Sequence, residues 1–116
     1  MATITEDYVS FETAKLLKEK GFRELTAKAY PYFEGKDYKY DLPCPTLQMA
    51  MKWLREAHNI CVVSFPVVTD DDGEAGCLWN YAILRKLEVL HNSECLYESS
   101  ETACEAAIKY CLENLI

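Results

Sequence analysis

No stretch of the sequence stays apolar for the roughly 18 residues that a membrane-spanning helix requires. Residues 1–7 also lack the basic start and the apolar segment of a secretory signal. We therefore expect a cytoplasmic protein that makes no contact with a membrane. Glycine and proline are scarce, at four each, and no low-complexity tract occurs. This composition predicts one folded domain over residues 1–116, with residues 1–8 flexible.

The short motifs that mark common catalytic and cofactor sites are absent as well. The sequence has no phosphate-binding glycine loop, no G-x-S-x-G and no C-x-x-C pair. Its two histidines, His58 and His91, do not form H-E-x-x-H, and the acidic run at 70–74 lacks the alternating acids of a calcium loop. We assign no catalytic residue, no cofactor and no metal ligand. His58 is expected at a helix C-terminus and His91 in a polar loop.

Positive charge is also in short supply. The chain has 19 acidic and 12 basic residues, which gives a net charge of -7. An acidic protein repels a phosphate backbone, so this balance disfavours nucleic acid as a partner. The lysines and the arginine between positions 15 and 23 are interleaved with glutamates, which is typical of a solvated helix face.

Six cysteines are present, and an intracellular location predicts that they are reduced thiols. Cys104 and Cys111 are seven residues apart, which places them about 10 Å apart along a helix, too far to share one metal ion. Buried structural thiols are the favoured interpretation, and a metal site or a reactive or paired thiol are the alternatives. The six are Cys44, Cys61, Cys77, Cys95, Cys104 and Cys111.

The segment from 45 to 60 carries the strongest structural pattern. Thr46 is a good N-cap, apolar residues follow at helical spacing from 47 to 57, and Asn59 can end the helix in the left-handed conformation. A helix of about 12 residues is marginal alone, so we expect its apolar stripe to be buried, with Trp53 packing on a sheet.

Two further helices have similar signals. Ser10 can cap a helix over 11–20, which Gly21 would end. Near the C-terminus, Ser99 or Ser100 can cap a helix that is apolar over much of its circumference and extends to about residue 115.

Alternating apolar and polar residues predict strands between these helices. Residues 26–42 indicate a hairpin around Gly35, and residues 60–68 and 77–84 indicate a strand pair joined by a polar turn at 70–74. Residues 85–90 fit either a strand or a helical turn, and residues 95–97 fit a short strand. The order α-ββ-α-ββ-(β)-α predicts a single α+β domain, with an antiparallel sheet of about four to five strands covered by about three helices.

Tyrosine is the one surplus, with eight in 116 residues. Four of them alternate along the first predicted hairpin, so Tyr38 and Tyr40 can share a sheet face with Tyr30 and Tyr32. Such a face fits packing under the helices, a protein or self-interface, or base stacking, although its lysines are offset by acids. We take Tyr30, Tyr32, Tyr38 and Tyr40 as the candidate interface.

Three segments, VSFETAKLLKEKGF (9–22), PTLQMAMKWLREAHNI (45–60) and EAAIKYCLE (105–113), carry a family resemblance. They resemble a family of short uncharacterised proteins encoded by gut bacteria and by their phages or other mobile elements. The resemblance covers roughly a third of the chain. It implies an intracellular bacterial or phage protein, and it implies no activity.

Three functional hypotheses follow. The first is a small non-enzymatic protein that acts by binding an unknown protein partner or a second copy of itself. The second is an acidic inhibitor that mimics nucleic acid, which requires acids clustered on one face. The third is a small-molecule binder or an enzyme without a recognisable motif, which requires a concave pocket containing a histidine or a cysteine.

Overall fold

The chain is described here from a computed structural model covering residues 7–71, 74–93 and 95–116. Within these residues, three helices and five strands occur in the order α-β-β-α-β-β-β-α, which confirms the predicted α+β class. The helices are α1 (Phe11–Glu19), α2 (Leu47–His58) and α3 (Ser100–Asn114). The strands are β1 (Lys28–Glu34), β2 (Asp37–Cys44), β3 (Cys61–Asp71), β4 (Glu74–Arg85) and β5 (Glu88–Asn92).

The helices begin and end at the predicted capping residues. The side chains of Ser10, Thr46 and Ser99 each accept a hydrogen bond from the amide three residues later, at 3.3, 3.1 and 3.1 Å. These bonds satisfy amides that have no partner inside the helix. Gly21 follows α1 with φ 107°, and Asn59 ends α2 with φ 57°. Both lie in the left-handed region that typically ends a helix.

The five strands form two antiparallel sheets, which corrects the prediction of one sheet. β1 and β2 form a two-stranded sheet, and the other three form a sheet with the order β3-β4-β5. Sequence patterns define a hairpin locally, through its turn and its alternation. Whether two hairpins share an edge depends on long-range packing, which those patterns do not encode.

The second hairpin is longer than predicted. Asp70 and Asp71 belong to β3, where they pair with Ala75 and Glu74 of β4, so most of the acidic run is strand. The remaining turn positions, 72 and 73, lie outside the described residues. The alternation pattern predicted strands that were too short here, because aspartate and glutamate have a low intrinsic preference for strands.

The ambiguous segment 85–90 resolves as a tight turn followed by β5. Lys86 and Leu87 have φ values of 50° and 64°, and Arg85 pairs with Glu88 across them. Two positive φ values in a two-residue loop are the mark of a type I′ turn. His91 lies in β5, so its predicted placement in a loop is wrong.

The predicted short strand at 95–97 is reduced to one bridge. The backbone of Tyr97 exchanges two hydrogen bonds of 2.8 Å with Trp79 of β4.

The predicted flexibility of residues 1–8 falls mainly outside the described residues. Asp7 and Tyr8, which are described, are held against the start of α2. The carbonyl of Asp7 accepts from the amide of Leu47 at 2.9 Å, and Tyr8 forms a bridge with Thr46.

One hydrophobic core joins the three helices to both sheets. Fully buried side chains include Leu17 of α1, Leu54 of α2, Ile108 of α3, Leu42 of β2 and Ile83 of β4. The radius of gyration is nevertheless 16.0 Å, against about 13 Å for a compact chain of this length. The difference arises partly from the β1–β2 hairpin, where every residue from 33 to 39 is exposed.

Trp53, which was predicted to pack on a sheet, packs against the hydrophobic core. Its ring makes edge-on contacts with Phe22 at 5.7 Å and with His58 at 4.9 Å between centroids. His58 lies in the last turn of α2, as expected.

Candidate functional surfaces

Three of the four candidate tyrosines lie together on one face of the β1–β2 hairpin. Tyr32 pairs with Tyr40 across the strands, and their rings stack at 5.0 Å with an interplanar angle of 14°. Tyr30 pairs with the fully buried Leu42 on the same face. All three tyrosines are half-buried.

Helix α1 covers this tyrosine face. Phe11, Lys15 and Lys18 are spaced so that they share one side of the helix. Their contacts, measured to ring centroids, are Phe11 with Tyr30 at 5.7 Å, the Lys15 Nζ with Tyr32 at 5.6 Å and the Lys18 Nζ with Tyr40 at 4.3 Å. The lysine stems thus cover aromatic surface while their ammonium groups lie over the rings.

Tyr38 is separated from the other three tyrosines. The strand register shifts between Tyr32 and Phe33, so that Tyr38 pairs with Phe33, the neighbour of Tyr32 that points to the opposite face. The two rings meet edge-on at 5.9 Å and remain 54% and 52% exposed. We call Phe33 and Tyr38 the hairpin tip. The Asp41 carboxylate raises the pKa of Tyr38.

Helix α3 covers one face of the three-stranded sheet. The hydroxyl groups of Ser64 and Ser100 are hydrogen-bonded at 2.7 Å, and His91 stacks on Tyr110 with centroids 3.8 Å apart. Tyr81 and Ile83 on this face are buried. Because side chains alternate along a strand, the residues between these positions point away from α3.

The opposite face carries a row of apolar side chains that we call the outer-sheet patch. It consists of Val63 and Phe65 of β3, Ala82 and Leu84 of β4, and Val89 of β5. Val63 pairs with Ala82, and Leu84 pairs with Val89. Val63, Phe65 and Val89 are 45%, 37% and 54% exposed. None of the five side chains is charged.

The sequence contained a signal for this patch that sequence reasoning did not use. Apart from Ser64, every residue from 60 to 68 is apolar, so the run does not alternate with polar residues. A strand that packs on one side only is expected to alternate with polar residues, so a continuous apolar run indicates two faces without contact to water. The same run therefore predicts both the strand and its second apolar face.

The free edge of β3 is interrupted at Pro66. Trp79 directs its backbone N–H and C=O away from β3, toward Tyr97, so Pro66, which pairs with Trp79, faces its own nitrogen to the open edge. Proline has no N–H to donate there. Such a residue hinders addition of another strand at an edge.

The described cysteines do not form disulfides. Cys61 and Cys95 are exposed, whereas Cys44, Cys104 and Cys111 are buried. The side chain of Cys77 lies outside the part of the chain described. Within that part, no group of three or more histidine, cysteine or acidic residues is placed to hold a metal ion.

Cys44 borders a cleft of about 220 Å³ between β2 and the start of α2. Its thiol donates to the carbonyl of Val9 at 3.4 Å, and burial raises its pKa. A raised pKa keeps the thiol neutral, which is the unreactive form. No histidine is among the described residues that line this cleft. The arrangement therefore gives little support to a cysteine nucleophile.

Acidic side chains are spread over the described surface. Examples are Glu12 on α1, Glu56 on α2, Glu113 on α3 and Asp37 on β2. The nucleic-acid mimic stays a prediction, and this spread does not favour it.

Comparison with protein-family models, with curated proteins and with solved structures finds no match. Among the helices within residues 7–71, 74–93 and 95–116, none is long and apolar enough to cross a membrane.

Proposed function

We propose that this protein acts by self-association, with the outer-sheet patch as the contact surface between two copies. The observation that carries the proposal is the uncovered apolar face of the β3-β4-β5 sheet. Val63, Phe65 and Val89 retain 37% to 54% of their exposure there. The largest contiguous apolar patch on a protein surface is often an interaction site.

The patch is small compared with the surface that a stable complex buries. The patch spans three strands and about three residues along them, roughly 14 by 10 Å, or about 140 Å² in projection. A stable complex buries about 800 Å² per partner. A second sheet of the same size packs face to face at about 10 Å, with its strands rotated by about 30°. We therefore expect a weak dimer whose population depends on concentration.

A second copy is favoured over an unrelated protein by charge and by geometry. The patch has no charged side chain that would select a partner of opposite charge. Under a twofold axis each copy presents the same apolar surface to the other, so the contact is self-complementary. Pro66 hinders the competing arrangement, in which two copies of β3 would pair edge to edge.

Sedimentation equilibrium over a wide concentration range tests the proposal. The weight-average mass of the wild-type protein should rise from that of a monomer toward that of a dimer. Val63→Lys places a charge in the patch, and it should hold the protein as a monomer at every concentration. Val89→Lys, on β5, should do the same and serves as a second variant in case the first fails to fold.

Leu25→Lys is the matched control, since Leu25 is 94% exposed and lies outside both sheets. This variant should associate like the wild type. The proposal is overturned if the wild type stays monomeric throughout, or if dimer formation is indifferent to both patch variants.

The hairpin tip contains Tyr38, the one exposed residue among the four tyrosines of the predicted interface. Tyr40 already packs between Tyr32 and Lys18, so Tyr40→Ser would also remove packing inside the protein. Tyr38→Ser combined with Phe33→Ser removes the exposed pair alone. If this double variant no longer associates while Val63→Lys associates like the wild type, the contact lies at the hairpin tip and not at the outer-sheet patch.

A further inference from the structure

A further concave surface lies where the starts of α1, α2, α3 and β1 come together. We call it the N-terminal cleft; its volume is about 480 Å³. This size lies in the range of small-molecule sites. It is lined by Asp7, Tyr8, Val9, Ser10, Lys28, Tyr30, Leu47, Glu101, Thr102 and Glu105.

The cleft contains a lysine held between two aromatic rings. The Lys28 Nζ lies 5.0 Å from the centroid of Tyr8 and 5.6 Å from that of Tyr30. Rings in this arrangement attract a cation. Within the described residues no carboxylate lies close enough to Lys28 to form an ion pair. The ammonium group is thus positioned but has no anionic partner.

Glu105, which also lines the cleft, has hydrogen-bond donors for only one of its two carboxylate oxygens. Glu105 Oε1 accepts from the amide of Ser10 at 2.9 Å and from the hydroxyl of Thr13 at 2.6 Å. These bonds fix the side chain at the start of α1, where the helix dipole favours a negative charge. The other oxygen, Oε2, is buried and accepts no hydrogen bond from the described residues. A buried acceptor without a donor is unfavourable, and since Glu105 lines the cleft, a ligand donor that reaches this oxygen as the side chain adjusts would stabilise it.

The two groups act on the same neighbourhood. The Cys44 thiol, which is buried beneath Tyr30, experiences both charges: Lys28 lowers its pKa and Glu105 raises it, although burial has the larger effect and the net shift is upward. Because Lys28 and Glu105 line the same cleft, a basic pole and an acidic pole are presented to one small ligand. Asp7 and Glu101 add to the acidic pole, so the lining carries three carboxylates and one ammonium group.

We propose that the N-terminal cleft binds a small zwitterion with one carboxylate and two cationic groups, the charge pattern of a basic α-amino acid. The ligand carboxylate pairs with Lys28, and its cationic groups face Glu105, Asp7 and Glu101. The net charge of the ligand then complements that of the lining, and the tyrosine rings contact its aliphatic part. This site is independent of the outer-sheet patch and of the dimer.

L-arginine is the probe, and two relatives separate its charges. Agmatine lacks the carboxylate, and L-citrulline lacks the side-chain cation. In ¹H–¹⁵N spectra titrated at a fixed pH, L-arginine should shift the amides of residues 7–10 and 101–105 in a saturable way. Its affinity should exceed that of each relative by about tenfold, the factor expected from losing one charge-assisted pair.

Variants test the two poles separately. Lys28→Met keeps the stem between the rings and should reduce L-arginine binding to the level of agmatine, while leaving agmatine unaffected or tighter. Glu101→Gln, at an exposed position, should weaken L-arginine and agmatine alike. Lys52→Met on α2, whose lysine pairs with Glu56 at 3.9 Å, is the control and should leave every affinity unchanged.

The inference is overturned by either of two results. One is the absence of a saturable shift with L-arginine at millimolar concentration. The other is equal affinity for the three ligands, or affinity that rises with net positive charge from L-citrulline through L-arginine to agmatine, which is the order that nonspecific binding to an acidic surface gives. Val63→Lys, the monomeric variant of the proposed dimer, should bind L-arginine normally, so failure of the dimer proposal does not affect this test.

Discussion

The two sheets of this protein differ in which of their faces a helix covers. Each has two faces and receives a helix on one of them. On the β1–β2 hairpin the covered face is the aromatic one, where Lys15 and Lys18 of α1 lie over Tyr32 and Tyr40. On the β3-β4-β5 sheet, α3 covers one apolar face and leaves a second apolar face in water. The comparison shows that a high tyrosine content does not by itself identify a free surface. Whether a sheet face is free depends on which face the helix packs against.

The largest expected effect is a difference in the free energy of unfolding between substitutions on the two faces of the β3-β4-β5 sheet. Ile83 on the covered face is fully buried, whereas Val63 on the patch is 45% exposed. Ile83→Ala should lower the free energy of unfolding by about 3 kcal/mol, because it removes buried methyl groups and leaves a cavity. Val63→Ala should cost less than about 1 kcal/mol. Urea unfolding at a concentration where the protein is monomeric measures both.

A large loss in Val63→Ala under those conditions would contradict the assignment of the two faces. It would mean that part of this chain covers the patch in the monomer. Leu25→Ala is the control for replacing an exposed apolar side chain, and it should have no measurable effect.

The next effect is a dependence of stability on alkaline pH, which should be largest for the groups on the face of the β3-β4-β5 sheet that α3 covers. Burial raises the pKa of Cys111 to about 12 from an ordinary value of 9.0, and burial raises that of Tyr81 to about 12 as well. The folded protein therefore keeps both groups neutral at a pH where the unfolded chain loses their protons. Stability is full below pH 9 and should fall as the pH rises from 9 toward 12. Each group contributes up to about 1.4 kcal/mol per pH unit in its own range.

The variant Cys111→Ala isolates one of these groups. At pH 8 it should be less stable than the wild type by about 1 kcal/mol, because the small side chain leaves a void. Between pH 9 and 11 it should lose about 2 kcal/mol less than the wild type loses. Parallel curves for the two proteins, from urea unfolding at each pH, would show that the Cys111 thiol is not shielded from ionisation.

The helices were predictable because their signals are local. Ser10 and Thr46 cap the helices that follow them, and Asn59 ends α2, since each acts on amides or carbonyls within four residues. The β1–β2 hairpin was predictable for the same reason, through alternation around Gly35. The division into two sheets was not predictable, because it depends on edges that are far apart in the sequence.

The candidate site was predicted only in part, and one bulge explains much of the difference. Regular alternation places Tyr38 beside Tyr40, but the register shift next to Tyr32 pairs Tyr38 with Phe33. A single extra residue on one strand reverses the face of everything beyond it. The N-terminal cleft was not predictable for another reason. Lys28 and Glu105 are 77 positions apart, and neither belongs to a motif.

The smallest expected effect is the contribution of the two lysine charges to the packing of α1 on the tyrosine face. The Lys18 Nζ lies 4.3 Å from the Tyr40 centroid, and the Lys15 Nζ lies 5.6 Å from that of Tyr32. Lys18→Met preserves the packing of the stem but removes the charge, so it should cost about 0.5–1 kcal/mol. Part of any loss could come from the helix dipole, because Lys18 lies in the last turn of α1.

A double-mutant cycle with Tyr40→Leu removes that ambiguity, because the dipole contribution is the same with either partner. The Lys18–Tyr40 coupling measured by unfolding should be larger than the Lys15–Tyr32 coupling from a matching cycle with Lys15→Met and Tyr32→Leu, because attraction to a ring weakens with distance. Equal couplings near zero would show that the two lysines cover the tyrosines through their stems alone. In that case the difference between the two sheets would lie only in how much apolar surface each helix buries, and the ammonium groups would have no part in it.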